Sequence, residues 1–141
     1  MSASLASASA ANAPLSFLRK VLWADAAVSA AAAAFMSFGG GLLASPLGLP
    51  TNLLMPEGLS LFVYAAFVLW LARRRLVPRA GVWAAVVINV VWAVDCLAIA
   101  FGPWFEPTGL GIAFLVAQVV TVGVFAELQV MGLGREGRAV P

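Results

Sequence analysis

Four long apolar runs divide this chain, and no basic residue interrupts any of them. They cover about 21–43, 58–72, 81–101 and 109–131. Crossing the hydrocarbon of a bilayer takes about 20 apolar residues, with a range of about 17–25. The first, third and fourth runs meet this. The second is short unless Pro56 and Arg73 are counted with it. Hydrocarbon offers no hydrogen-bond partner to a backbone, so each run is predicted to be an α-helix. Helix-stopping residues fall between them: Pro46, Pro50 and Pro56, then Pro78, then Gly102, Pro103 and Pro107. Gly39, Gly40 and Gly41 are expected to fray or kink the end of the first helix. The predicted fold is all-α, an antiparallel four-helix transmembrane bundle over residues 17–135. A flexible, Ser/Ala-rich N-terminal tail over 1–16 precedes it, and a C-terminal tail over 136–141 follows.

Composition supports lipid as the main solvent. Of 141 residues, 63% are apolar and 10% are charged, against about 25% charged in a soluble domain. The mean hydropathy is +1.02. No histidine is present, which removes histidine-ligated haem, imidazole zinc sites, Ser-His-Asp triads and histidine proton relays. The one cysteine, Cys96, allows no internal disulfide, no Cys-x-x-Cys pair and no cysteine metal cluster. A four-helix membrane thiol oxidoreductase is thereby excluded. Neither phosphate-binding glycine motif follows a strand-like run, so nucleotide binding has no support. No cofactor or metal is expected.

The net charge of +2 points to topology, not to nucleic acid. Arg19 and Lys20 precede the first run. Arg73, Arg74, Arg75 and Arg79 separate the second from the third, and Arg135 and Arg138 follow the fourth. The other two connections, 44–57 and 102–108, hold no basic residue and one acid each, Glu57 and Glu106. The positive-inside rule then sets both termini and the middle loop in the cytoplasm. Trp23, Trp70 and Trp83 fall near that boundary and Trp104 near the other, as interfacial aromatic belts require. Arg19-Lys20 before an Ala-rich run also looks like a signal peptide, but Asp25 interrupts the run and the run is too long. A weak repeat links Arg19, Trp23, Ala24 and Ser29 to Arg79, Trp83, Ala84 and Asn89, as a duplicated two-helix hairpin would, but the second and fourth runs do not match and coincidence accounts for it equally well.

Polar residues at depth are the candidate functional groups. Counted from the ends of the runs, Asp25 and Glu127 share a shallow cytoplasmic level, within reach of Arg19, Lys20, the Arg73, Arg74 and Arg75 cluster, and Arg135. Interfacial ion pairing that clamps helix ends is the expected role, and a proton or cation entry site is the sharper alternative. Asp95 lies beyond the middle of the third run. An aspartate at a helix centre costs about 2.5–3.5 kcal/mol on insertion scales, so it should face protein, water or a partner. Ala85, Ile88, Asn89, Trp92, Asp95, Cys96 and Ile99 fall on one helical face. Gln118, Ser37 and Ser60 are level with Asp95, while Tyr64, Ser29 and Thr121 are level with Asn89. Asp95, Asn89, Gln118 and Tyr64 therefore form the candidate intramembrane polar site. Interhelical hydrogen bonding is the bland reading, and a ligand or proton site at Asp95 is the sharp one. Cys96 reads as an inert buried residue and Trp92 as core. Small residues recur every fourth position, at Asp25, Ser29, Ala33, Ser37 and Gly41 and at Gly109, Ala113, Ala117 and Thr121. Such stripes join the first and fourth helices or mediate oligomerisation.

Leu18-Arg19-Lys20 with Trp23-Ala24-Asp25, and Ala126-Glu127-Leu128-Gln129 with Gly132-Leu133-Gly134-Arg135, resemble small, Ala/Leu-rich, four-span bacterial membrane proteins of uncharacterised function. The resemblance implies a bacterial inner-membrane setting and an antiparallel bundle. It assigns no catalytic or binding residue. The chain does not resemble a small multidrug antiporter, because its first helix lacks a mid-membrane glutamate.

The expected function is non-catalytic: an integral protein of the inner membrane that binds a lipid or protein partner, or self-associates as a homo-oligomer. Arg73, Arg74 and Arg75 anchor topology and suit anionic lipid heads. The alternative is a small oligomeric proton-coupled transporter or channel using Asp95, with Asn89, Gln118 and Tyr64 along a polar path. An enzyme is not expected, because no second carboxylate is predicted at the depth of Asp95.

Overall fold

The computed structural model describes residues 16–139. The expected tail over 1–16 lies outside the described residues except for Ser16, as do residues 140–141. Four helices follow one another: α1 Phe17–Leu47, α2 Thr51–Arg73, α3 Arg79–Phe101 and α4 Gly109–Ala139. Among the described residues there is no strand. All four are long and apolar enough to cross a membrane.

Every helix but α3 outruns its apolar run appreciably, for local reasons. α1 starts at Phe17 because the Ser16 hydroxyl accepts from the Arg19 backbone N–H at 3.2 Å, satisfying one of the free donors of the first turn. It passes through Gly39–Gly41 without fraying, Gly40 being packed against Leu54 and Met55 of α2. It ends at Gly48, whose φ of 67° is left-handed and costs glycine little. Pro46 and Pro56, expected as stops, lie inside α1 and α2. A helical proline forfeits one bond to the carbonyl four residues back. Here those carbonyls belong to Leu42 and Asn52, both exposed near helix ends, so the loss falls where it is mildest. The short second run thus becomes a 23-residue helix. α4 continues through residues 136–139, which the sequence suggested as tail.

α1 packs along α2, α3 packs along α4, and α1 also contacts α4; α2 and α3 scarcely touch. The buried stripes explain this order. Leu18, Leu22, Asp25, Ser29, Met36 and Gly40 are buried on α1, and Val82, Ala85, Asn89, Cys96 and Ile99 on α3. Alternating steps of three and four keep such residues on one narrow face. Two close approaches set the distances. A Cβ on Gly58 would lie 2.8 Å from the Ser37 backbone nitrogen, and one on Gly132 would lie 3.0 Å from the Leu18 Cα. The small residue Ser37 therefore meets α2, not α4. Of the predicted α4 stripe, Gly109, Ala113 and Ala117 are exposed; the close α1–α4 approaches are instead at Gly132, against Leu18, and at Gly111, against the Leu47 carbonyl.

Polar contacts tie the ends. The Arg19 guanidinium donates to the carbonyls of Ala72 (2.6 Å), Arg74 (2.7 Å) and Arg75 (3.2 Å), capping α2. Arg79 donates to the Leu133 carbonyl of α4 at 3.0 Å. At the other end the Thr108 hydroxyl accepts from Gly111 N–H (3.0 Å) and donates to the Pro46 carbonyl (2.6 Å). Arg19 and Arg79 each bond a late carbonyl of the helix that follows their own, and Ser29 and Asn89 are both buried. Trp23, Trp70, Trp83 and Trp104 are exposed on the apolar exterior.

Candidate functional site

Asp25 is the residue around which the polar interior is built. It is 1% exposed. Counting from the apolar run suggested one turn of depth, but α1 begins at Phe17, so Asp25 lies eight residues in. Tyr64 is nine residues before the end of α2. Asn89 is ten residues into α3, and Gln129 ten before the end of α4. At 1.5 Å per residue these four lie about 12–15 Å from their helix ends. One polar layer results, with a contribution from every helix.

Its hydrogen bonds converge on the carboxylate. Ser29 Oγ donates to Oδ1 at 3.0 Å, while Tyr64 Oη and Gln129 Nε2 each donate to Oδ2 at 2.6 Å. Asn89 Nδ2 then donates to Gln129 Oε1 at 3.2 Å. The bonds to Oδ2 are short, as expected for a carboxylate acceptor. All three donors to Asp25 are neutral. Ion pairing of Asp25 with Arg19, Arg73, Arg74 or Arg75 is therefore not what forms. Arg19 is occupied with the carbonyls of Ala72, Arg74 and Arg75, and Arg73, Arg74 and Arg75 are exposed at the end of α2. The Arg74 guanidinium lies 4.9 Å over the Trp70 ring. Glu127 does not join Asp25 either, being exposed on α4. The physical reason is helix phase: Asp25 sits on the buried stripe of α1, while Glu127 sits beside that of α4.

The candidate polar site is split. Asn89 and Tyr64 meet at the Asp25 layer. Gln118 lies elsewhere and accepts from Trp92 Nε1 at 3.0 Å. Asp95 is exposed, one residue before buried Cys96 and turned off the α3 stripe, as is Ile88. Thr121 donates to its own helix, to the Ala117 carbonyl at 2.8 Å. Ser37 Oγ is buried and finds no hydrogen-bond partner among the described residues. Asp95 is not alone among carboxylates. Glu57, expected in a connection, is helical because α2 starts at Thr51, and it lines the same small cavity of about 20 Å³ as Asp95. Among the described residues no group of three or more metal-ligating side chains occurs.

Two cavities flank the Trp92–Gln118 pair. The smaller, with Glu57 and Asp95, is just roomy enough for a single water. The larger, about 170 Å³, lies chiefly between α1 and α4. Asp25, Ser29, Gln118 and Thr121 are its polar walls, and Trp92, Phe114 and Phe125 bring rings to it. Gln129 is the residue sequence reasoning missed. A signal existed: it falls in step with buried Ala126 and Leu133 on α4, but fixing that phase requires knowing which face of α4 is covered. No protein-family model matches the chain, and no curated protein or solved structure is detectably similar to it.

Proposed function

We propose that this is a non-catalytic, multi-pass protein of the bacterial inner membrane that binds a membrane-borne component in the cavity between α1 and α4. In this reading the helices alternate in direction and both termini are cytoplasmic. One observation carries the binding role: a fully buried carboxylate, Asp25, forms part of the wall of a 170 Å³ cavity whose other walls are mostly apolar. Sites for small molecules combine such apolar walls with a few fixed polar groups. Topology is supported by the sorting of all eight basic residues to three places, before the first helix, between the second and third, and after the fourth apolar run. The exposed Arg73, Arg74 and Arg75 suit anionic lipid heads on the cytoplasmic face. Self-association is favoured by the exposed small residues Ala113 and Ala117.

Two experiments test this reading. Reporter fusions at Leu76, Phe105 and Pro141 should give cytoplasmic, periplasmic and cytoplasmic signals, and a periplasmic signal at Leu76 overturns the topology. Native mass spectrometry of protein released from its own membrane should find a small molecule retained by wild type and lost from Ala32→Phe, which fills the cavity. Equal retention by both removes the cavity as the binding site.

A second reading is favoured by the smaller cavity. Glu57 and Asp95 line it, and Trp92, Phe114 and Gln118 line both cavities. A proton-coupled transporter or channel would use such stepped polar chambers. Asp95→Asn should then abolish flux in proteoliposomes, and unchanged flux removes this reading.

A further inference from the structure

We infer that the cavity between α1 and α4 takes a small lipophilic ammonium, its N–H groups accepted by Asp25 and its apolar part held among Trp92, Phe114 and Phe125. This rests on the reading of that cavity as the binding site and adds the chemical class of its occupant.

Charge is the first argument. Asp25 is 1% exposed, and its hydrogen-bond partners are the uncharged Ser29, Tyr64 and Gln129. Arg19 and Arg79, the basic residues whose side chains turn inward to hydrogen-bond, give those bonds to backbone carbonyls of Ala72, Arg74, Arg75 and Leu133. A buried carboxylate without a cation is expensive to hold in hydrocarbon. Neutral donors lessen that cost, and a cation arriving in the cavity would lessen it further.

Valence is the second argument. A carboxylate has about four acceptor positions, and three are used. Among the described residues Oδ2 accepts two bonds and Oδ1 one, from Ser29. Ser29 lines the cavity with Asp25, whereas Tyr64 and Gln129 do not. Oδ1, the oxygen with spare capacity, is thus bonded to a side chain that itself lines the cavity. An ammonium brings three donors and no acceptor, which matches this vacancy and gives Gln118 Oε1 and Thr121 Oγ1 as further acceptors in the walls.

Shape and the walls are the third. Trp92, Phe114 and Phe125 line the cavity, and aromatic faces attract cations when water is excluded. The volume of about 170 Å³ suits a molecule with one aromatic ring and a short amine arm. Val28 and Ala117 line the cavity and are exposed on the outside of the helices. Access is therefore sideways from the bilayer, which selects a lipophilic amine over a hydrated metal ion. An anion would meet the Asp25 charge directly and is excluded.

The test uses the full chain in nanodiscs, with empty nanodiscs subtracted, and equilibrium dialysis of three probes: 2-phenylethylammonium, 2-phenylethanol and 3-phenylpropionate. Wild type should bind the ammonium at least about tenfold more tightly than the alcohol, the size expected for one hydrogen bond to a charged group, and should not bind the anion. Asp25→Asn should remove that preference. Ala32→Phe should abolish binding of both. If ammonium and alcohol bind wild type equally and both are lost from Ala32→Phe, the ammonium assignment fails while the cavity remains a binding site. If Ala32→Phe changes nothing, or no probe binds, both the assignment and the reading beneath it fall. The wild-type comparison of probes decides the matter even where Asp25→Asn does not fold.

Discussion

Replacing Gln129 by leucine should destabilise the protein more than any other single loss of a neutral polar group. Gln129 is fully buried, with 0% exposure. Its amide nitrogen donates to Asp25 Oδ2 at 2.6 Å and its carbonyl accepts from Asn89 at 3.2 Å. Leucine nearly conserves the volume, so the loss is polar and leaves little cavity. An ordinary interhelical hydrogen bond in a membrane averages about 0.6 kcal/mol, which is the value for the Asn89 bond. A bond to a charged acceptor contributes about 1.5–3 kcal/mol, which applies to the Asp25 bond. Together Gln129→Leu should remove about 2–4 kcal/mol. Gln118→Leu is the control: its one bond, to Trp92 at 3.0 Å, joins two neutral groups and should be worth about 0.6 kcal/mol. The assay is equilibrium unfolding in mixed micelles, read by labelling of Cys96, the sole cysteine and 3% exposed in the fold. Tyr64→Phe removes the other donor to Oδ2. Because the two donors share one oxygen, the double variant should depart from additivity by at least about 0.5 kcal/mol. Equal losses for Gln129→Leu and Gln118→Leu, or strict additivity with Tyr64→Phe, would refute the idea that Asp25 organises the interior.

Other perturbations probe the frame that holds this layer. Arg19→Ala uncaps the end of α2 by removing donors to three carbonyls, and limited trypsin digestion at Arg73, Arg74 and Arg75 should accelerate; an unchanged cleavage rate would contradict the cap. Gly132→Val drives a side chain into the Leu18 backbone and should cost about 1–3 kcal/mol as overpacking. Gly134→Ala meets nothing within 4 Å, and should be neutral or stabilise by up to about 1 kcal/mol through helix propensity; similar losses for both in thermal unfolding would disprove the close α1–α4 approach. Thr108→Val removes both the acceptor for Gly111 N–H and the donor to Pro46. It should cost about 0.5–2 kcal/mol, the range of an N-cap loss, with faster hydrogen exchange confined to the first turn of α4. No change in exchange there would show that the cap is dispensable.

Much of this architecture is legible without coordinates, because hydrocarbon imposes a single rule on a backbone. Four apolar runs had to be helices, and the prolines between them located the connections approximately. The exact ends were less legible. Pro46 and Pro56 look like stops in a one-dimensional reading, yet both are helical, near the end of α1 and the start of α2, where the residues four before them, Leu42 and Asn52, are exposed. That misplacement hid Glu57 in a loop and left Asp95 looking solitary. For the polar site, shared depth was readable for Asn89, Tyr64 and Ser29, which do meet at one level with Asp25. Orientation about the helix axis was not. One residue of phase, about 100°, separates exposed Asp95 from buried Cys96.

What the sequence alone determines here is the solvent and the periodicity: too few charges for water, runs long enough for lipid, and basic residues gathered to three places. These follow from composition and spacing, which are properties of the chain before it folds. Which polar groups meet was decided only by tertiary packing. The direction a helix turns its faces depends on which neighbour comes close, and that is set by contacts such as Gly132 on Leu18 and Gly58 on Ser37. Once those distances are fixed, Asp25 and Gln129 point inward together, and an acid that the chain places near its arginines finds hydroxyl and amide partners instead.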